Sequence, residues 1–234
     1  MSVSTMLFRQ LFDSESSTYT YLIADEASRE AVLIDSVLEQ VERDLRLIAE
    51  LELRLRACLE THIHADHITG AARLRAATGC AVWVPQRAPA QCADHFVADG
   101  EVLQLGTVRI RAIATPGHTD SHIAFVVNGD RVLTGDALFI RGCGRTDFQG
   151  GDAGALFDSV TSRLFALPDA TLVYPGHDYR GQTVSTIGEE KSCNPRFHGR
   201  ERAEFIALMD SLSLPRPKKI LEAVPANERC GAAA

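Results

Sequence analysis

Short runs of β-branched, aromatic and small apolar residues, broken by polar turns, recur along most of the chain. Such runs read as strands of a buried or half-buried sheet. YTYLIA (19–24) and AVLID (31–35) are two of them, and the polar DEASRE between them reads as a hairpin turn. The rhythm then changes. From 37 to 53 the apolar positions Val37, Val41, Leu45, Ile48, Ala49 and Leu51 follow the 3.6-residue period of a helix with one buried face. A strand over 57–61 leads into HIHADH. ITGAARLRAATG then predicts a second helix closed by Gly79, the residue type best suited to a left-handed C-cap. CAVWV (80–84) returns to the strand pattern until Pro85 stops it. Further strands are expected at 101–105, 108–114, 122–128, 131–134 and 171–174, with Asn128-Gly129 supplying hairpin chemistry. Helices are expected at 152–166 and 199–212. Many strands with few, separated helices fit either an α/β (α+β) domain or a sandwich with helices outside, and pattern alone goes no further.

Composition narrows the class. With 234 residues, 45% hydrophobic and 24% charged, the chain suits one compact domain over 1–234, with no repeat, low-complexity tract or dividing linker. A formal net charge of −7, with no local Lys/Arg stripe, gives no footprint for nucleic acid and none for an anionic membrane surface. No apolar run approaches the ~20 residues that span a bilayer. MSVSTMLFRQLF lacks the pattern of a signal or transit peptide, so a complete, cytoplasmic chain is expected. The six cysteines form no C-x-x-C, and a chain of this size needs no staples, so reduced thiols are expected.

Seven candidate metal ligands fall at four places, each just past an expected strand. They are His62, His64, Asp66 and His67 in THIHADH, His118 in TPGHTDSH, Asp136 in LTGDALF and His177 in YPGHDY. Imidazole and carboxylate suit iron, zinc and manganese, and a strand end followed by a loop is where a rigid scaffold aims side chains. A loop running into a helix can turn His62 and His64 toward one point and Asp66 and His67 toward another. The letters therefore leave open one cation or two adjacent ones. His95, His122 and His198 lie apart from these ligand positions and read as ordinary surface or core residues, and Cys143 has no base at fixed spacing that would make it a nucleophile.

The T-H-x-H-x-D-H motif followed by a distant His, an Asp and a final His resembles the metallo-β-lactamase superfamily over nearly the whole chain. That resemblance implies a four-layer αβ/βα sandwich with a metal at one edge of two packed sheets. RGCGRTDFQGGDAGALFDSV (141–160), LVYPGHDYRGQTVSTIGEEKSCNPR (172–196) and AVPANERCG (223–231) are similar to the persulfide dioxygenases, or sulfur dioxygenases, of that superfamily. The similarity implies one Fe(II) per chain, held by His62, His118 and Asp136. Two histidines and a carboxylate form the facial triad of non-haem iron oxygenases, with positions left for substrate and O₂. The resemblance then gives His64, Asp66, His67 and His177 places behind the ligands or in the pocket wall, with Asp66 and His177 orienting ligands or water by hydrogen bonding.

The same resemblance implies glutathione persulfide, O₂ and water as substrates, and sulfite and glutathione as products. Glutathione carries two carboxylates, so Arg145 in GCGRTDF, Tyr179 in HDYRG and Arg196 in NPR are the expected substrate-binding residues. The alternative is a glyoxalase II-type dinuclear hydroxyacylglutathione hydrolase, which shares HxHxDH but usually carries a longer helical C-terminal region. A third, non-enzymatic reading, a metal or sulfide sensor, has no DNA-reading helix to support it. The resemblance also allows a homodimer.

Overall fold

The structure, a computed structural model, describes residues 6–232. Its strands form two six-stranded sheets. The first runs in the order β1 (Met6–Asp13), β2 (Thr18–Asp25), β3 (Glu30–Ile34), β4 (Arg54–Leu59), β5 (Ala81–Pro85), β6 (His95–Val97). Its first three strands are antiparallel, and β3 to β6 are parallel. Parallel neighbours need crossovers, and α1 (Val41–Glu50) and α2 (Ala71–Thr78) supply two of them. The second sheet has the order β12 (Ser185–Thr186), β11 (Leu172–Pro175), β10 (Arg131–Gly135), β9 (Ile123–Val127), β8 (Val108–Ala114), β7 (Val102–Leu105). Its β10–β11 pair is parallel, and the segment between those strands contains α3 (Ala153–Ser159). The chain ends with α4 (Ile187–Cys193), α5 (Arg202–Asp210) and α6 (Ile220–Asn227).

Contacts divide the chain into two compact units interleaved in sequence. One holds the residues up to Val97, Val102–Arg109 and the residues from Arg216 onward; the other holds Ala98–Glu101 and Ile110–Pro215. In the first unit Leu22, Leu33, Cys58 and Val82 of the sheet pack with Val41 and Ile48 of α1 and Leu74 of α2. All eight residues of β2 are buried, so the sheet is covered on both faces there. In the second unit Val126, Val132 and Val173 meet Leu156 of α3 and Phe205 of α5 in a separate cluster. Each such side chain removed from water contributes about 1.5–3 kcal/mol, which makes these clusters the rigid floor under the strand ends.

The expected elements are present with shifted ends. The stretch 37–53 opens as a 3₁₀ turn, Leu38–Gln40, becomes α1 at Val41, and stops before Glu52, whose φ of +50° leaves the helical region. Gly79 closes α2 at φ +74° as expected, and Asn128 and Gly129 both take positive φ in the β9–β10 hairpin. The expected 152–166 helix divides into α3, capped by Asp152, and a π turn at Val160–Leu164. The pattern did not yield β1, β6, β12, α4 or α6. Strands of two and three residues are too short to carry a period, and Pro225 inside α6 disguised that helix.

One expectation is overturned. Cys92 and Cys230 are joined in a disulfide across 138 residues, with Cα atoms 6.0 Å apart; Cys58, Cys80, Cys143 and Cys193 are free thiols. Local spacing cannot reveal a bridge between positions so far apart in sequence. This one ties the segment after α6 to the loop before β6 within the first unit. No helix among the described residues is long and apolar enough to cross a membrane.

Candidate metal centre

Every expected ligand lies past the end of a strand. His62 to His67 follow β4, His118 follows β8, Asp136 follows β10 and His177 follows β11. His62, His64, Asp66 and His67 belong to the first unit, and His118, Asp136 and His177 to the second.

In the first unit, Asp35 organises the motif. This residue holds φ +54°, a left-handed conformation uncommon for an aspartate, and is 1% exposed. Its carboxylate accepts from the Thr61 N–H at 2.7 Å and the Thr61 hydroxyl at 2.9 Å. With its proton given to Asp35, the Thr61 oxygen accepts from His62 Nδ1, 2.9 Å away. His62 therefore carries its hydrogen on Nδ1 and its lone pair on Nε2. His64 faces two carboxylates through Nε2, Asp35 at 3.1 Å and Glu60 at 3.2 Å. Burial opposes charge on His64, yet these carboxylates outweigh it and raise its pKa well above the usual histidine value. Burial also raises the Glu60 carboxyl, against the pull of His64. His67 Nδ1 lies 2.8 Å from Asp66 Oδ2, which places its hydrogen there and a lone pair on Nε2. His64 Nδ1 and His67 Nε2 are buried without a hydrogen-bond partner. Buried polar atoms in that condition are rare. Ligand atoms of His64, Asp66 and His67 lie within 4.8 Å of one another.

In the second unit, His118 Nδ1 donates to the carbonyl of Arg145 at 2.7 Å, and a carbonyl can only accept, so the lone pair is on Nε2. Nε2 is 3.5 Å from Asp136 Oδ2, and the other oxygen of Asp136 lies 2.7 Å from His177 Nδ1. His122 places Asp136 from behind: its Nε2 accepts the Asp136 N–H at 3.0 Å while Nδ1 bonds the Thr115 hydroxyl at 2.8 Å. Both Pro-Gly-His turns need their glycine. A Cβ on Gly117 would sit 2.3 Å from the backbone of Leu156 at φ +140°, and one on Gly176 would sit 2.6 Å from Asp136 Oδ1. The loop after Asp136 is held by buried Glu190, which bonds Arg141, Ser185 and Asn194, while the Asn194 amide donates to the Gly142 carbonyl.

These donors fit a metal of intermediate softness. Imidazole nitrogens have their remote N–H held by oxygen, an arrangement that fixes tautomer and raises ligand basicity. The expected substrate residues are placed differently. Arg145 spends its guanidinium on Asp147, at 2.6 and 2.7 Å, and on the Pro215 carbonyl at 2.6 Å, over the ring of Phe148. Tyr179 is 72% exposed and stacks on His177 with centroids 6.1 Å apart. Arg196 is partly exposed and its N–H bonds the Asn194 side chain. Cys143 is a partly exposed thiol whose pKa is pushed up to about 12 by burial, the wrong direction for a nucleophile.

Sequence reasoning missed Asp35, Glu60, Thr61, His122 and Asn227. Asp35 and Thr61 each stand at the end of an apolar run, which was the available signal; His122 carried none.

Comparison with known proteins identifies the family. The family model described as "Metallo-beta-lactamase superfamily" matches residues 14–177. The chain is 50% identical to "Persulfide dioxygenase ETHE1, mitochondrial" of Bos taurus over 98% of its length and 91% of the relative's. It is 49% identical to the protein of that name from Homo sapiens over the same shares. Among solved structures, ETHE1 from Myxococcus xanthus superposes with a TM-score of 0.94 at 58% identity, covering 97% of this chain and all of that one. With its two mixed sheets and the THIHADH loop past a strand end, the chain belongs to the metallo-β-lactamase superfamily and, within it, to the persulfide dioxygenases.

Proposed function

We propose that this chain oxidises glutathione persulfide with O₂ and water to sulfite and glutathione, using one Fe(II) held by His62, His118 and Asp136. The observation that carries the ligand assignment is the pair of fixed tautomers. Thr61 and the Arg145 carbonyl each take a histidine Nδ1 hydrogen and put the lone pair on Nε2. When bound, Fe(II) would supply open coordination positions and the redox chemistry that lets O₂ react with a soft sulfur anion. The protein does the rest. His177 holds one oxygen of Asp136 and His122 holds its backbone, so the carboxylate stays oriented. His64, Asp66 and His67 keep the ligand loop in register through Asp35, Glu60 and Thr18. In this reading Tyr179, exposed beside His177, meets the glutathione moiety, Arg196 takes one of its carboxylates, and Arg145 serves through its carbonyl more than its guanidinium.

The chain works as one catalytic domain over 1–234, in the cytoplasm and as a homodimer. Size-exclusion chromatography with light scattering and cell fractionation test those parts.

A second reading has its own support. The unpartnered nitrogens of His64 and His67 suit a second cation and hence a dinuclear thioester hydrolase. An anaerobic iron titration followed by oxygen-electrode measurements with prepared glutathione persulfide separates the two. About one iron per chain, with O₂ consumed in step with sulfite, is expected. Two metals per chain with O₂-independent cleavage of a glutathione thioester would refute the dioxygenase reading.

A further inference from the structure

We propose that Asn227, in the last turn of α6, is a positioning residue that holds the metal-ligand loop from the far end of the chain. The loop 61–69 has almost no regular structure, so its carbonyls and N–H groups find no helix or strand ladder. Asn227 meets three of them. Its Nδ2 donates to the carbonyl of His64 at 2.9 Å and of His67 at 2.8 Å, and its Oδ1 accepts the Thr69 N–H at 2.9 Å. Both amide hydrogens and the oxygen are used, and the side chain is 3% exposed. The orientation has no alternative, because a flipped amide would turn its oxygen against two carbonyls.

The clamp is itself anchored. The Cys230 carbonyl accepts from the Ala72 N–H at 3.0 Å, the Glu228 carbonyl from the Gln91 N–H at 2.9 Å, and Cys230 is bonded to Cys92. All these groups lie in the first unit. Asn227 bonds backbone only; it fixes the chain at His64, His67 and Thr69, in the same loop that carries His62.

The inference rests on the ligand assignment proposed for His62. The measurement is the rate at which protein loaded with Co(II) loses its metal to excess EDTA, followed by the Co(II) absorption. Asn227→Leu keeps the volume and removes all three bonds. It should release metal about 10-fold faster than the unaltered protein, the lower end of the cost of losing a direct partner of a ligand, because Asn227 acts through the loop backbone. Val224→Ala, on the same helix and packed on the same core, should lower the melting temperature while leaving release unchanged. Equal release from Asn227→Leu and the unaltered protein overturns the proposal, as does equally accelerated release from Val224→Ala. If Asn227→Leu does not fold, Asn227→Ser, with one donor left, takes its place under the same criteria. A His62→Ala variant that binds Co(II) as tightly as the unaltered protein would instead refute the ligand assignment itself.

Discussion

Thr61→Val is the sharpest perturbation of the centre. Thr61 is fully buried, its hydroxyl donates to Asp35 at 2.9 Å and accepts from His62 Nδ1 at 2.9 Å. Valine keeps the shape and offers His62 no acceptor. A buried N–H left without a partner costs about 1–3 kcal/mol. The ring can escape that cost by moving its hydrogen to Nε2, but that blocks the nitrogen assigned to the metal. Either outcome weakens binding, and the usual penalty for losing an outer partner is about 10–100-fold in affinity, or about 1.4–2.7 kcal/mol. Chelator competition with Fe(II) or Co(II) reads the affinity, and long-range ¹H–¹⁵N NMR of the metal-free protein reads the tautomer. Thr61→Ser, which keeps the hydroxyl, should behave like the unaltered protein. Unchanged affinity in Thr61→Val, with His62 still protonated on Nδ1, would refute the chain of reasoning from Asp35 to Thr61 to His62.

Two further predictions concern stability. Burial pushes the Asp44 carboxyl up to about 6, only partly offset by Arg43 beside it. The folded state thus binds this proton more tightly than the unfolded chain; the stability it adds is full below pH ~4 and is lost as pH rises through about 6. The difference amounts to about 3 kcal/mol, so urea melts of Asp44→Asn should gain about that much on the unaltered protein between pH 4 and pH 7, and a pH-independent gap would contradict it. The Cys92–Cys230 bridge closes a loop of 138 residues, worth at most about 5 kcal/mol by the chain-entropy account. Cys92→Ser should lower the urea midpoint, and dithiothreitol should lower that of the unaltered protein to match while leaving the variant where it is; an unaltered protein indifferent to reductant would argue against the bridge.

The centre was legible in the sequence to different depths. The strands before His62, His118, Asp136 and His177 announced themselves through apolar runs, and turn chemistry marked Gly79 and Asn128-Gly129, because these signals are local. The partners of the ligands were hidden because they are not local. Asp35 lies 26 residues before Thr61, and the Asn227 bonds span about 160 residues. His122 looked idle since its role is to accept a backbone N–H, which leaves no mark on composition. Arg145 shows the converse case, its guanidinium being held by Asp147 and the Pro215 carbonyl. Its guanidinium suggested a carboxylate grip, and the structure uses its carbonyl to orient His118, a service any residue type could perform. α4, by contrast, is legible in the sequence: Thr186 accepts the Glu189 N–H, the start of a Thr-x-x-Glu signature.

Asp136 and His177 stand just beyond the ends of two neighbouring parallel strands, β10 and β11, where Gly135 is paired with Pro175. Their separation is therefore a property of the ladder and not of the long crossover between them. Insertions or deletions in that crossover beyond the Arg141–Arg145 loop, whose Arg145 carbonyl holds His118, leave the pair in place as long as α3 keeps its seat, so evolution, or an engineer, can rebuild the surroundings of the reaction while the cation-gripping hardware stays constant.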